Sequence, residues 1–238
     1  MVEQLDVLAI GAHPDDVEVF VGGSLLRLRA QGYRVGVADL TVGEAGTHGT
    51  ADDRRREASE AAAILGLSHR EILDLPDSGL SDIDEQRRIV VRLLRRLRPR
   101  LVLCFYPGPS RHPDHGTSGQ LVKAAAFLSC VGKIEPDLPP IKPPRLLHYR
   151  ELNAEEPSVV IDISDHWQEK AAAIRAYASH REVWGLVDEE SIERPQPMTM
   201  WDKVESRARF LGSTAGGRYG EGLWSEGSLK LADMEWFI

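Results

Sequence analysis

Two short runs of ionisable residues carry the chemistry this chain could do: Ala12-His13-Pro14-Asp15-Asp16 and His112-Pro113-Asp114-His115. Each follows an apolar, β-branched segment, residues 7–10 before the first and 101–105 shortly before the second. Imidazoles and carboxylates are costly to bury unpaired. Two such runs at the ends of buried strands therefore converge on something, and a metal ion is the simplest partner. His13, Asp16 and His115 would supply two nitrogens and one oxygen, leaving open the fourth position that a catalytic zinc needs. Iron, cobalt or manganese could occupy the same donors. Asp15 and His112 are left for acid-base work. The first run alone could be an ordinary helix cap; its His-Pro-Asp pattern recurring after a second strand favours the metal.

The segments that must position these runs alternate between strand and helix patterns. Residues 5–10 read as a strand and 17–30 as a helix. Residues 35–40 form the next strand, and a glycine-rich loop at 43–50 leads into a helix at 52–65, ended by Gly66. A short strand is predicted at 71–73, a helix at 84–97 that stops before Pro99, and a continuously apolar strand at 101–105. This alternation implies βαβ units, a parallel sheet and an α/β fold. Ligands of such sheets bind outside the carboxyl ends of the strands, near a reversal of strand order. Both runs fall on that edge. Beyond a proline-rich stretch at 135–145, strands are predicted at 146–149 and 159–163 and helices at 164–179 and 201–211, with glycines crowding 212–227. No internal repeat is present, so the reading is one domain over 1–238 with a C-terminal extension.

Composition narrows the partners. A net charge of -8 over 238 residues gives no overall basic surface for nucleic acid. No apolar run approaches the ~18 residues of a membrane span, and the N-terminus lacks a basic stretch followed by an apolar one, so no membrane is expected and the cytoplasm is the default. Cys104 and Cys130 are too few for a disulfide framework and read as reduced thiols. Gly22-Gly23 does not make a dinucleotide loop, because the spacing is wrong and Asp15 and Asp16 would repel a pyrophosphate. The arginines at 54–56 open a helix beside the glycine-rich loop. Such runs usually form a solvated face, but Arg54 at the mouth of an anionic site could bind a carboxylate or hydroxyl. His166 and His180 read as surface or satisfied core histidines, and the five tryptophans as packing residues of the C-terminal part.

Ala-His-Pro-Asp-Asp at 12–16 with His-Pro-Asp-His at 112–115 resembles the LmbE-like (PIG-L-type) zinc-dependent N-deacetylases. Further segments are similar to the bacillithiol-pathway branch of that family, which deacetylates N-acetylglucosaminyl-malate. They are 43–50 followed by Arg54-x-x-Glu57-Ala58, the run Leu75-Pro76-Asp77-Ser78-Gly79, and the glycines from Gly212 to Gly222 with Tyr219-Gly220-Glu221-Gly222. Other relatives act on mycothiol precursors, chito-oligosaccharides and glycolipid glucosamine. The resemblance implies a Rossmann-like, mostly parallel sheet flanked by helices, and a small-molecule N-acetyl amino-sugar conjugate as substrate. It implies one Zn2+ per chain on His13, Asp16 and His115, with Asp15 as general base. His112 becomes the acid or oxyanion stabiliser, oriented by Asp114, and Arg54, His48 and Tyr219 contact substrate. It also implies a homo-oligomer, since close bacterial relatives are often hexameric. Relatives in this branch often carry arginine where this chain has His48.

The expected chemistry is amide hydrolysis. Zinc brings the pKa of water near neutrality, Asp15 takes the proton during attack, and a protonated His112 shares the developing oxyanion. The Asp114 carboxylate would keep His112 charged. The proton reaches the leaving amine through Asp15 or His112. A phosphoesterase would more commonly use two metals, and a structural zinc in a binding module would more commonly have four protein ligands, mostly cysteines.

Overall fold

The computed structural model describes residues 4–181, 185 and 198–229. Its main sheet has five parallel strands in the order β3-β2-β1-β4-β5: β1 (Val7–Gly11), β2 (Val35–Thr41), β3 (His69–Leu75), β4 (Leu101–Phe105) and β5 (Arg145–Tyr149). β1 and β2 are buried along their whole length, as a sheet covered on both faces requires. Helices α1 (Asp16–Ala30), α2 (Ala51–Leu65), α3 (Asp84–Leu97) and α4 (Pro113–Leu128) connect successive strands. α1 packs on α2, and α3 on α4; right-handed crossovers put these two pairs on opposite faces of the sheet. β1 sends its connection towards β2, while β4 sends its connection the other way, to β5. The order therefore reverses between β1 and β4, where open α/β sheets bind ligands. Both ionisable runs leave the sheet at that point.

The chain then adds an antiparallel ribbon of β6 (Val159–Asp162) and β7 (Gly220–Leu223), with α5 (Trp167–Arg175) and α6 (Met200–Thr214) between them. The ribbon joins the β5 edge through paired His148 and Trp224 backbone bonds, each 2.8 Å. A buried ion pair ties it to α1. Lys170 Nζ bonds Glu221 Oε1 at 2.5 Å and the Val19 carbonyl at 2.8 Å, and the Gly23 N–H reaches Glu221 at 2.9 Å. Ser24 completes the group through its N–H and hydroxyl. Helix α1, which carries Asp16 at its first turn, is thus held from the far side.

Several expectations change in detail. β3 spans seven residues instead of the 71–73 expected, because its polar side chains find partners: Arg70 with Asp39 and Glu18, and Glu71 with His69 and Arg96. The helix expected at 164–179 is α5 flanked by two 3-10 turns, Ser164–His166 and Ala178–His180. Helix α4 is an addition to the expected elements. Pro113 suits its first position, but the Gly116–Gly119 region hides the pattern from propensity. Those glycines serve packing: a Cβ at Gly116 would strike the Gly108 carbonyl, and one at Gly119 would lie 2.5 Å from the Phe105 carbonyl oxygen. Only glycine lets α4 bring His115 this close to β4. Trp184 and Trp236 lie outside the described residues. Cys104 is buried and Cys130 exposed, and neither is in a disulfide. Among the described residues, no helix is long and apolar enough to cross a membrane.

Glu221→Ala should cost about 3–5 kcal/mol, because Lys170 is left buried without its counter-charge. Urea unfolding measures this, and a loss below about 1 kcal/mol would show that the pair does not anchor the ribbon.

Candidate active site at the strand-order reversal

The turn after β1 is pinned before any ligand is considered. The Ala12 carbonyl accepts from the Thr41 N–H and hydroxyl, at 3.0 and 2.9 Å, and the His13 N–H donates to Asp16 Oδ2 at 2.8 Å. Asp15 takes a φ of +107°, a region that non-glycine residues seldom adopt and that costs of order 1–3 kcal/mol. Arg54 braces the turn, donating from Nη2 to the Pro14 carbonyl at 2.7 Å.

Arg54 is 4 % exposed. It shares its helix face with Glu57, Ala58, Ala61 and Leu65, a spacing that turns it into the protein instead of toward solvent. A capping box between Thr50 and Asp53 starts that helix after the glycine-rich loop. Arg54 Nη1 lies against the His180 ring, and Glu57 holds the neighbouring Ser179 through two 2.7 Å bonds. Burial, Arg54 and nearby His48 push the His180 pKa down to about 4. His180, expected to be a surface or core histidine, therefore backs Arg54. Burial pushes the Asp15 pKa up to about 7, against the pull of the Arg54 guanidinium.

His13, Asp16 and His115 come together. Asp16 Oδ2 lies 3.4 Å from His13 Nδ1, and its Oδ1 lies 3.2 Å from His115 Nε2. The opposite nitrogen of each ring is also held. His13 Nε2 meets Asp77 Oδ1 at 3.0 Å and Asp114 Oδ2 at 3.3 Å, and His115 Nδ1 meets Glu151 Oε1 at 3.1 Å. Burial alone would lower the His13 pKa, but hydrogen bonds to Asp114, Asp16 and Asp77 take it up to about 12. Burial would raise Asp16, yet His115 and His13 hold it well below the ordinary carboxylate range. Carboxylates outnumber imidazoles in this cluster, and Asp16 faces one nitrogen of each ring. That donor set and that surplus of negative charge fit a divalent cation. His13 could also share an ion with His112 and His115, or with Asp77 and Asp114.

His112 caps α4 and packs edge-on against His13, with ring centroids 4.7 Å apart. Its Nδ1 accepts the Asp114 backbone N–H at 3.3 Å, which leaves the hydrogen on Nε2. The Asp114 carboxylate is elsewhere, on His13 and on the Ser78 N–H at 2.8 Å. The expectation that Asp114 keeps His112 charged is corrected accordingly. Burial and the neighbouring His13 and His115 lower the His112 pKa, so the ring is neutral at pH 7.

His48 sits half-buried in the glycine-rich loop. Tyr219 lies in the packing of the ribbon, stacked on Trp167 at 4.3 Å with its hydroxyl on Glu205. Asp77 and Glu151 join the cluster without a role assigned from sequence. Asp77 stands in one of the motifs quoted above; Glu151 carries no sequence signal. A cleft of about 360 Å³ opens beside the 110–112 segment, lined by Tyr106, Ser110, Arg111, Arg150 and Glu151 among others.

Residues 8–126 match the family described as GlcNAc-PI de-N-acetylase (PIG-L). The diacetylchitobiose deacetylase of Thermococcus kodakarensis is 30% identical, over 91% of this chain and 81% of its own length. A probable N-acetyl-alpha-D-glucosaminyl L-malate deacetylase 2 of Bacillus subtilis is 28% identical, over 84% of this chain and 94% of its own. Among solved structures, the conserved protein TT1542 from Thermus thermophilus superposes with a TM-score of 0.84 at 34% identity, covering 96% of this chain and 98% of that one. The fold is the mostly parallel α/β sheet of these neighbours, here with paired histidine-aspartate motifs at its strand-order reversal. The chain belongs to the PIG-L (LmbE-like) family.

Arg54→Met should raise the Asp15 pKa, since it removes the opposing positive charge. A carbon-detected NMR titration would show the Asp15 carboxyl midpoint moving upward, so that the carboxylate protonates at higher pH than in the parent. An unmoved midpoint would show that Arg54 acts on the turn only through the Pro14 carbonyl.

Proposed function

We propose that this chain is a zinc-dependent N-deacetylase that hydrolyses the acetamide of an N-acetylglucosaminyl conjugate, with N-acetylglucosaminyl-malate of bacillithiol biosynthesis as substrate. The observation that carries the reading is the pairing of His13 and His115 across Asp16, with Asp15 held beside them in a strained turn. In this reading His13, Asp16 and His115 hold the ion, which when bound polarises the acetamide carbonyl and acidifies water near neutral pH. Asp15 takes the proton of the attacking water; a carboxylate whose pKa burial has pushed up to about 7 is matched to that task at neutral pH. Neutral His112 donates from Nε2 to the developing oxyanion. Asp15, now protonated, passes its proton to the leaving amine. Arg54 keeps the Asp15 turn in place through the Pro14 carbonyl.

The cleft beside the 110–112 segment supports an anionic second half of the conjugate. Arg111 is exposed there, and Arg150 stacks over Tyr106 at 4.7 Å and pairs at 3.8 Å with Glu155, another lining residue. Guanidinium groups bind carboxylates bidentately, which suits malate better than inositol or a second sugar. The family reading also carries a homo-oligomer in the cytoplasm.

Asp15→Asn should keep the metal and the fold, because asparagine tolerates positive φ, while turnover falls by about 10²–10⁴. Metal content by atomic absorption and acetate release measure the two arms; a variant that lost its zinc would show Asp15 to be a ligand. Arg111→Ala should raise KM for N-acetylglucosaminyl-malate about tenfold or more, the loss of one charged contact, and leave diacetylchitobiose turnover unchanged. Equal losses on both substrates, or no wild-type activity on the malate conjugate, would sink the malate assignment and leave the reaction class standing.

A further inference from the structure

Glu151 lies just beyond β5 and far in sequence from both ionisable runs, yet it touches the second run at both ends. Its Oε1 accepts from the Ser110 hydroxyl at 2.8 Å and the His112 N–H at 3.1 Å, and its Oε2 accepts from the Arg111 N–H at 3.0 Å. The same Oε1 lies 3.1 Å from His115 Nδ1. The His115 ring has little room to turn, being stacked on Phe105 at 4.0 Å with an interplanar angle of 11°. A carboxylate against Nδ1 places the hydrogen there and leaves the Nε2 lone pair on the side of Asp16.

We propose that Glu151 is a positioning residue for the metal site: it fixes the tautomer of His115 and strengthens it as a ligand, while holding the 110–112 backbone that carries His112. The inference rests on His115 being a metal ligand, as in the function proposed above. A carboxylate on the remote N–H of a ligating histidine makes the other nitrogen a better donor, and such partners contribute about 10- to 100-fold to metal affinity. Glu151 would do for His115 what Asp77 and Asp114 do for His13.

Two variants separate this role from a plain loop brace. Glu151→Gln keeps the shape and an acceptor oxygen but removes the charge facing His115. Ser110→Ala removes one brace of the loop and leaves His115 untouched. Zn2+ and Co2+ affinities are measured by competition with a chromophoric chelator, at a temperature where circular dichroism shows every protein folded. Glu151→Gln should bind both ions about 10- to 100-fold more weakly and shift the Co2+ d–d absorption, while Ser110→Ala binds as the parent does. Parental affinity and an unchanged Co2+ spectrum in Glu151→Gln would overturn the proposal. So would a Ser110→Ala loss as large as that of Glu151→Gln, since Glu151 would then serve the loop alone. A parent protein that bound neither ion would instead overturn the metal-site reading itself, on which this one stands.

Discussion

Asp16 placed between two imidazoles is the contact on which the rest of the site depends. One oxygen faces His13 from the turn after β1, and the other faces His115 from the first turn of α4. These two segments are about 100 residues apart in the chain and meet only because β1 and β4 are neighbours in the sheet. The β1–β4 pairing is also where the strand order reverses, so no connection covers the edge. Polar groups there keep access to a ligand, and their charge need not be fully cancelled within the protein.

The surrounding scaffold tolerates an unusual amount of buried charge. Glu18 and Asp39 are fully buried against Arg70, and each keeps one oxygen without a hydrogen-bond partner. Burial pushes the Asp39 pKa up to about 6. Lys170 and Glu221 are buried on the other side of α1, with partners on the Lys170 Nζ and on both Glu221 oxygens. Helix α1 is thus clamped by charge along its length, and the strained φ at Asp15 is held from both ends by bonds it does not itself make. Such pairs add little net stability over apolar packing, but removing one partner is costly. Their effect here is to leave the start of α1 one position.

Much of the fold was legible because its core strands are apolar runs with helical stripes between them. Strands β1, β2 and β4 need no side-chain partner outside the core, so local pattern suffices. β3 reads weakly because its polar residues are stabilised by Arg96, Glu18 and Asp39, which other elements supply. Helix α4 reads weakly for the opposite reason: glycines that weaken it locally are what allow it to approach β4. The two ionisable runs were legible in the same way as the strands, since the first follows β1 directly and the second comes shortly after β4. Glu151 was not, because an isolated glutamate after a strand looks the same whether it faces solvent or an imidazole.

The two histidines of the second motif show why spacing misled about Asp114. Two positions separate His112 from Asp114, and at the start of a helix that interval brings the cap side chain to a backbone N–H, not to a carboxylate. Asp114 shares its helix face with Ser118, Leu121, Val122 and Ala125, so its side chain turns inward, onto His13. Each inner imidazole consequently has Asp16 on one nitrogen and a carboxylate from another part of the chain on the other. His112 has neither. It keeps a neutral ring at the rim with no carboxylate on either ring nitrogen, yet it stands close enough to His13 and His115 to share an ion with them.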